Sequence, residues 1–394
     1  MISFDEAQEI AAQAASELGT ETVELENASG RVLAEAISAQ IDAPRQDVSA
    51  MDGYAVTDAS TALGDRLNVI GEAFAGARYS GAVGPDETIR IFTGAAMPNG
   101  TDRVIIQENV ERDGRLAHIA REYGPGWNVR KQASDFATGD ELLGAGSMLT
   151  PRSLLTVAAA DRDEVLVALQ PKITIIGTGD EIVAPGKAAS QLESIPDSVT
   201  IGLAAYAKSI GGNVIARKRL ADNLHELTEA AGEALAHADI VLVTGGASVG
   251  ERDYAKTMFE PHGLELLFSK VAIKPGKPVW LGKAGDKFIL GLPGNPASAM
   301  VTARLFLAPL LAKLQGQTRP LPLQWRKIPL STEIGPNGPR ETFYRAFWGE
   351  NGLVILDNQS SGAQQPLAQT DWLVRRPANC KGKKQGSLVN ALQF

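Results

Sequence analysis

The sequence predicts a multidomain α/β protein, and three observations carry that reading. Residues 172–312 alternate strand-like and helix-like segments, the pattern of a doubly wound α/β domain. Residues 45–140 and 317–394 instead consist of short alternating segments broken by Gly, Pro and Asn turns, the texture of β-rich domains. The chain has 394 residues, 44% apolar and 21% charged, enough for about two to four packed domains. The expected division is 1–44 with 141–171 as an N-terminal α/β linker domain, 45–140 as an inserted β-rich domain, 172–316 as the doubly wound domain and 317–394 as a small C-terminal β domain.

The elements follow in order. Ser3 and Glu6 form a capping box that opens a helix, with apolar positions at helical spacing to Leu18 and Gly19 as its stop. A short strand at Thr22–Leu25 and a small helix at Gly30–Ala36 come next. RLNVIGEA (66–73), ETIRIFTG (87–94) and DRVIIQENV (102–110) alternate as strands of the inserted domain. Pro151–Ala160 reads as a helix with Pro in its first turn, where the missing N–H costs nothing. In the doubly wound domain ITIIGTG (173–179), NVIARKRL (213–220), DIVLVTGG (239–246) and FILGLPG (288–294) are strands. Ser198–Ile210, Asn223–His237, Tyr254–Glu260 and Ala297–Leu314 are the helical candidates. ETFYRAFW (341–348), GLVILDNQ (352–359) and DWLVRRPA (371–378) return to short strands. No internal repeat or low-complexity segment interrupts the pattern.

Composition excludes several classes of function. A formal net charge of −8 argues against non-specific nucleic-acid binding, which needs a basic surface. The single cysteine, Cys380 in the basic turn ANCKGKK, permits no intramolecular disulfide and no cysteine-rich zinc site. The four histidines share no metal-like spacing and read as structural or surface residues. The first residues carry acids where a signal peptide carries bases, and no uninterrupted apolar run approaches the length of a membrane span. A cytoplasmic protein without a membrane segment is expected.

The most informative stretch is Lys270–Ala299. Lys270, Lys274 and Lys277 surround a Pro-Gly turn, and a short strand then runs into Gly291-Leu292-Pro293-Gly294-Asn295-Pro296 ahead of a helix. Lysines are point charges suited to oxyanions, and Gly/Pro turns hold backbone in fixed, close-approach geometry. An anion site on rigid turns is expected. Two more motifs fall at strand ends of the same domain. Thr178-Gly179-Asp180-Glu181 offers backbone to a phosphate and a carboxylate to a metal or hydroxyl, although a helix cap with acids at the dipole end accounts for it too. Thr244-Gly245-Gly246-Ala247-Ser248-Val249-Gly250 presents amides to anions but lacks the lysine of a P-loop. Asp253 and Asp222 lie nearby, and carboxylates beside an anion site suggest Mg²⁺; a turn role serves equally well for Asp222. In doubly wound domains ligands bind beyond the carboxyl ends of the strands, so one composite site is expected. In the inserted domain, Asp52 sits in a small-residue turn as a ligand or metal group, with Met51 and Tyr54 as packing residues.

SAMDGYAV (49–56), TGAAMPNGTDRVI (93–105), TGDEI (178–182), TGGASVGERD (244–253), KPGKP (274–278) and GLPGNPASA (291–299), in this order, resemble the MoeA family of molybdopterin molybdenumtransferases, which includes the E domain of gephyrin. The resemblance spans nearly the whole chain. It implies a MogA-like doubly wound domain within four domains per chain, an elongated homodimer, and insertion of molybdate into adenylylated molybdopterin with loss of AMP, dependent on Mg²⁺. It implies a site where the α/β domain of one subunit meets the inserted domain of the other. Transient contact with the MogA-type adenylyltransferase and with recipient molybdoenzymes follows from the same likeness.

Carried over by position, the resemblance assigns Asp52, Glu181, Asp253, Lys274 and Lys277 to catalysis, with the three acids as metal ligands. It assigns Thr93, Asp135, Asp222, Gly245, Gly246, Ser248, Lys270, Pro293, Gly294 and Asn295 to substrate binding, and Ser298, Arg345 and Ser361 to the oxyanion pocket. The chain departs from the family pattern in four places. Gln46 replaces a common Phe, Ala133-Ser134-Asp135 replaces Gly-acidic-Asp, Asp197-Ser198-Val199 replaces Asp-Ser-Asn, and SSGAQQPLAQ (360–369) replaces a Gly/Ser-rich segment. A catalytically altered paralogue that serves as a pterin-binding scaffold is the alternative these departures raise. A MogA-type adenylyltransferase is a third reading, disfavoured by the two extra β domains.

Overall fold

A computed structural model of the chain describes residues 1–245 and 254–394 and divides them into two compact units. The first comprises Met1–Glu35, Ala145–Thr150 and Val165–Phe394, and the second Ala36–Gly144 and Pro151–Glu164. The helix Pro151–Ala159, expected beside the N-terminal segment, groups with the second unit.

The first unit is built on a six-stranded sheet in the spatial order 213–220, 172–178, 240–244, 287–292, 280–284, 265–269. The first four are mutually parallel and the last two antiparallel. Strands Lys172–Thr178, Ile240–Thr244 and Lys287–Leu292 are buried almost throughout, which is why they read as continuous apolar runs rather than alternating ones. The chain visits 213–220 between 172–178 and 240–244, so the strand order reverses between those two central strands. That reversal opens a crevice beyond their carboxyl ends. Helix Val199–Ser209 and the continuous helical run Pro296–Leu314 pack on the sheet, and Asn223 caps Leu224–His237 through the amides of His225 and Glu226. Fully buried Ile173, Ile175, Leu242 and Leu290 anchor the core, each contributing about 1.5–3 kcal/mol.

A second sheet in this unit orders 273–274, 341–349, 372–376, 388–393, 326–329, with 352–355 on the side of 341–349. Its edge strand Ile273–Lys274 comes from the lysine-bearing turn, so that turn is pinned by pairing with Glu341 and Thr342. The N-terminal helix Phe4–Ala14 has the expected capping box of Ser3 and Glu6 and packs Phe4 edge-on against Phe306 and Phe343.

Several local expectations are corrected. The first helix stops at Ala14, where Ala15 turns extended, rather than at Leu18. Gly30–Ala36 is not helical: Val32 bridges Met148 and Leu33 bridges Val167, both fully buried, and that pairing overrides local propensity. Tyr254–Thr257 is one helical turn, followed by a separate 3₁₀ turn at Glu260–His262. The run Pro296–Leu314 is long and apolar enough to cross a membrane by composition, but 78% of it is buried inside the protein, as a core helix requires.

The second unit has a six-stranded sheet in the order 103–106, 53–56, 87–91, 66–73, 116–119, 110–113. Its core holds Ala55, Ile89, Ile91 and Val104. Tyr54 packs inside as expected, whereas Met51 is 44% exposed, because the Ser49 hydroxyl ties the Met51 backbone into a tight turn that sends its side chain outward.

Candidate active site

In the first unit the three strand-end motifs meet. A cleft of about 600 Å³ is lined by Thr178 and Glu181 from the first, Thr244 and Gly245 from the second, and Pro293, Gly294 and Asn295 from the third. Gly245 has φ +96°, and a Cβ there would lie 2.3 Å from the Thr178 carbonyl oxygen, so only glycine lets the two loops approach. The opposite wall is apolar, with Ile182, Ile195 and Val199, and it includes Asp197. Asp197 is 5% exposed and held by the Thr200 amide (3.1 Å), the Thr200 hydroxyl (2.5 Å) and Arg217 (3.3 Å). The Glu181 carboxylate is exposed and accepts no hydrogen bond from the described residues, so both its oxygens are available to a ligand.

A second cleft of about 550 Å³ adjoins the first across Pro278, Pro293 and Asn295. Lys274, Lys277 and Arg340 line it, together with Ser298, Gln359, Ser360 and Ser361, and among the described residues no carboxylate does. Neither lysine is in an ion pair with a described residue, and both are exposed. Gly276 between them has φ +101°, and a Cβ there would meet Thr302 Cγ2 at 2.2 Å, so the turn is seated hard against the helix. Ser298, 4% exposed, lies in the first turn of that helix, where the dipole favours negative charge. Convergent cations, hydroxyls and a helix start, with no acid among them, make a receptor for a small oxyanion.

The loop that backs both clefts is fixed from behind. Arg345 is 1% exposed and donates to the carbonyls of Asn358 (2.9 Å), Ser360 (2.9 Å) and Ala363 (3.2 Å). Gln359 closes the arrangement by accepting from the Arg345 amide (3.0 Å) and donating to its carbonyl (2.9 Å). Ser361 then accepts from the Ala297 amide through its carbonyl (3.0 Å) and from Asn295 Nδ2 through its hydroxyl (3.2 Å). Arg345 lines neither cleft, which corrects its placement in the oxyanion pocket: its guanidinium is spent on carbonyls, and burial alone pushes its pKa down. The arginine that lines the second cleft is Arg340, five residues earlier, which sequence reasoning missed. Its only signal was its place at the turn GPNGP before the strand. Asp197 was likewise passed over, although it opens the Asp-Ser-Val triplet already noted as a departure.

Lys270 and Asp222 line neither cleft. Lys270 adopts φ +69° and its backbone joins Ile2 and Val279, a structural position. The Asp222 amide donates to Asp180 (3.0 Å). Gly246, Ser248 and Asp253 lie outside the described residues.

In the second unit the Asp52 carboxylate is pre-oriented. One oxygen, Oδ1, accepts from both the amide and the hydroxyl of Thr93, each at 2.8 Å, and the other has no described partner. The Thr93 amide above all, then its hydroxyl and the Arg90 charge, hold the Asp52 pKa below the usual aspartate value. Asp135 is exposed and follows Ala133, whose φ of +56° lies in the left-handed region. That conformation gives a physical reason for the glycine usual at this point of the pattern. No three His, Cys, Asp or Glu side chains gather at metal-binding distance among the described residues. Asp52 and Glu181 nevertheless fit a hard cation such as Mg²⁺, since each keeps a carboxylate oxygen without a described donor.

Comparison with known proteins agrees with this geometry. Residues 2–160 match the MoeA N-terminal region (domain I and II), and residues 174–313 match the probable molybdopterin binding domain. The chain is 38% identical over 352 residues to a molybdopterin molybdenumtransferase of Haemophilus influenzae, covering 88% of this chain and 85% of the relative. It is 34% identical over 395 residues to that of a Nostoc species, covering 96% and 90%. The crystal structure of the molybdopterin biosynthesis moeA protein from Pyrococcus horikoshii superposes over 100% of both chains with a TM-score of 0.82 at 28% identity. With these matches, and with the strand-end clefts its motifs build, the chain belongs to the MoeA family of molybdopterin molybdenumtransferases.

Proposed function

We propose that this protein inserts molybdate into adenylylated molybdopterin with release of AMP, the last step in making molybdenum cofactor. The observation that carries this reading is the second cleft, which offers Lys274, Lys277, Arg340 and Ser298 to an anion and, among the described residues, no carboxylate to repel one. Molybdate is a small dianion and needs convergent donors of this kind. The first cleft has the volume and apolar wall for an organic substrate, and its polar loops suit the pterin and phosphate portions. Asp52, Glu181 and Asp253 are the acids we assign to Mg²⁺, which would polarise the phosphoanhydride when bound. The lysines of the second cleft hold molybdate and stabilise charge on the departing AMP. Arg345, through the 358–363 loop, fixes where Ser360 and Ser361 stand.

Purified protein supplied with adenylylated molybdopterin, Mg²⁺ and molybdate should release AMP and yield cofactor that reconstitutes an apo-molybdoenzyme. Retention of the adenylylated pterin without AMP release under these conditions would point to the scaffold alternative, which no observation on this chain favours. Omission of Mg²⁺ should stop AMP release, and unchanged release in chelator would remove the metal from the scheme. We assign the working form as a homodimer; an active monomer in sedimentation at assay concentration would contradict that. A reducing cytoplasm suits a chain whose only thiol is Cys380.

A further inference from the structure

The first unit holds another cavity, of about 480 Å³, that shares no lining residue with either cleft. Its walls mix polar groups with an apolar patch formed by Met148, Ile210, Ala308, Leu321 and Phe394. Two polar side chains stand out against them. The Tyr206 hydroxyl is buried with no hydrogen-bond partner. Burial pushes its pKa up to about 12, so it remains a proton donor. Arg304 donates Nε to the Gln393 carbonyl (2.8 Å) and Nη1 to the Pro322 carbonyl (2.7 Å), but pairs with no described carboxylate. Its guanidinium lies beside the Tyr206 hydroxyl without a well-formed hydrogen bond between them.

Two of the other polar side chains of the cavity are already engaged, the Ser209 hydroxyl donating to the Tyr206 carbonyl (2.7 Å) and Gln317 Nε2 to the Pro320 carbonyl (2.7 Å), and Gln393 has no described side-chain partner. Arg304 sits in a π-helical turn, Ala303–Leu307, that interrupts the run Pro296–Leu314. Such turns recur at functional sites, because widening a helix re-aims one side chain at a cost in regularity. A partly buried cation without a counter-charge and an orphaned buried donor are both unfavourable unless something accepts from them. Together they are two adjacent donors beside that apolar patch.

We propose that this cavity binds a small organic carboxylate, with its hydrocarbon body on the apolar wall and its carboxylate on Arg304 and Tyr206. A fully hydrated inorganic dianion such as molybdate gains nothing from that wall, so the site is separate from the reaction in chemistry as well as in place. The test titrates benzoate, and 4-methylpentanoate beside it, into the full chain by calorimetry, with molybdate as competitor. Saturable binding is expected, undisturbed by molybdate. Tyr206→Phe removes only an atom that has no partner, so the fold is retained, and benzoate affinity should fall about tenfold. Arg304→Lys should weaken it by at least as much, because a point charge cannot keep two carbonyls and serve a carboxylate. Absence of saturable binding to either probe, displacement by molybdate, or equal affinity in wild type and Tyr206→Phe would each overturn the proposal.

Discussion

The two clefts at the strand ends share Pro278, Pro293 and Asn295 yet are opposite in character. One has acids, Glu181 and Asp197, and an apolar wall; the other has two lysines and an arginine and, among the described residues, no acid. A single mixed pocket would let those cations pair with the acids and neutralise both. Separation by two prolines and an asparagine keeps Glu181 and the cations of the second cleft available to a ligand, while Asp197 is engaged by Thr200 and Arg217. The lesson is that charge can be sorted across a rigid ridge rather than concentrated in one exceptional residue.

The largest test of that sorting removes an acid. Glu181→Ala in the first cleft should abolish AMP release with melting unchanged, since the side chain is exposed and supports no packing. Asp52→Ala should also abolish AMP release, from its own turn in the second unit, with a small loss of stability because its two hydrogen bonds from Thr93 go with it. Wild-type turnover in either variant would show that the residue has no part in the reaction.

A smaller effect should come from behind the second cleft. Arg345→Met leaves three carbonyls without their buried donor, which should cost about 2–4 kcal/mol of stability in denaturant melts. By loosening Ser360 and Ser361 it should also raise the molybdate concentration needed for half-maximal rate more than the pterin concentration. Equal rises in both would mean that the loop serves the two clefts alike.

Thr93→Val should move the Asp52 carboxyl back up toward the ordinary aspartate value, read by carboxyl-carbon NMR. The sign follows from linkage: a depressed pKa favours the folded state above the ordinary value, and that contribution is lost as pH falls through the depressed one. The variant should therefore lose Asp52 ionisation at a higher pH than wild type. An unmoved Asp52 titration would mean that the Thr93 hydroxyl contributes nothing and that the retained amide alone holds the pKa down. The smallest change expected is a gain. Ala133→Gly relieves a left-handed backbone and should raise stability by about 1 kcal/mol, with the rate unaltered. A loss of stability would show that the Ala133 methyl is engaged in packing.

Much of this was legible in the chain. NVIARKRL and RLNVIGEA have the strand boundaries read from their patterns, and Ser3 caps the helix it was expected to cap. These signals are local, because a pleat or a cap is decided within a few residues. What was not legible depends on partners far along the chain. Val32 and Leu33 are extended because Met148 and Val167 pair with them. Arg340 and Arg345 are the same residue type five positions apart, and only the placement of the 358–363 loop makes one a lining group and the other a buried clamp. Exposed lysines on a Pro-Gly turn advertise themselves; an arginine spent on carbonyls does not.

The division of labour between the clefts is tested most directly at Lys277, which faces the second cleft from a pinned turn. Molybdate and adenylylated molybdopterin would be titrated separately against Lys277→Ala. The account predicts that molybdate affinity falls about 10- to 100-fold, the loss of one charge-assisted contact of roughly 1.5–3 kcal/mol, while pterin binding is nearly unchanged. Weakened pterin binding with an unaltered molybdate dependence would contradict it.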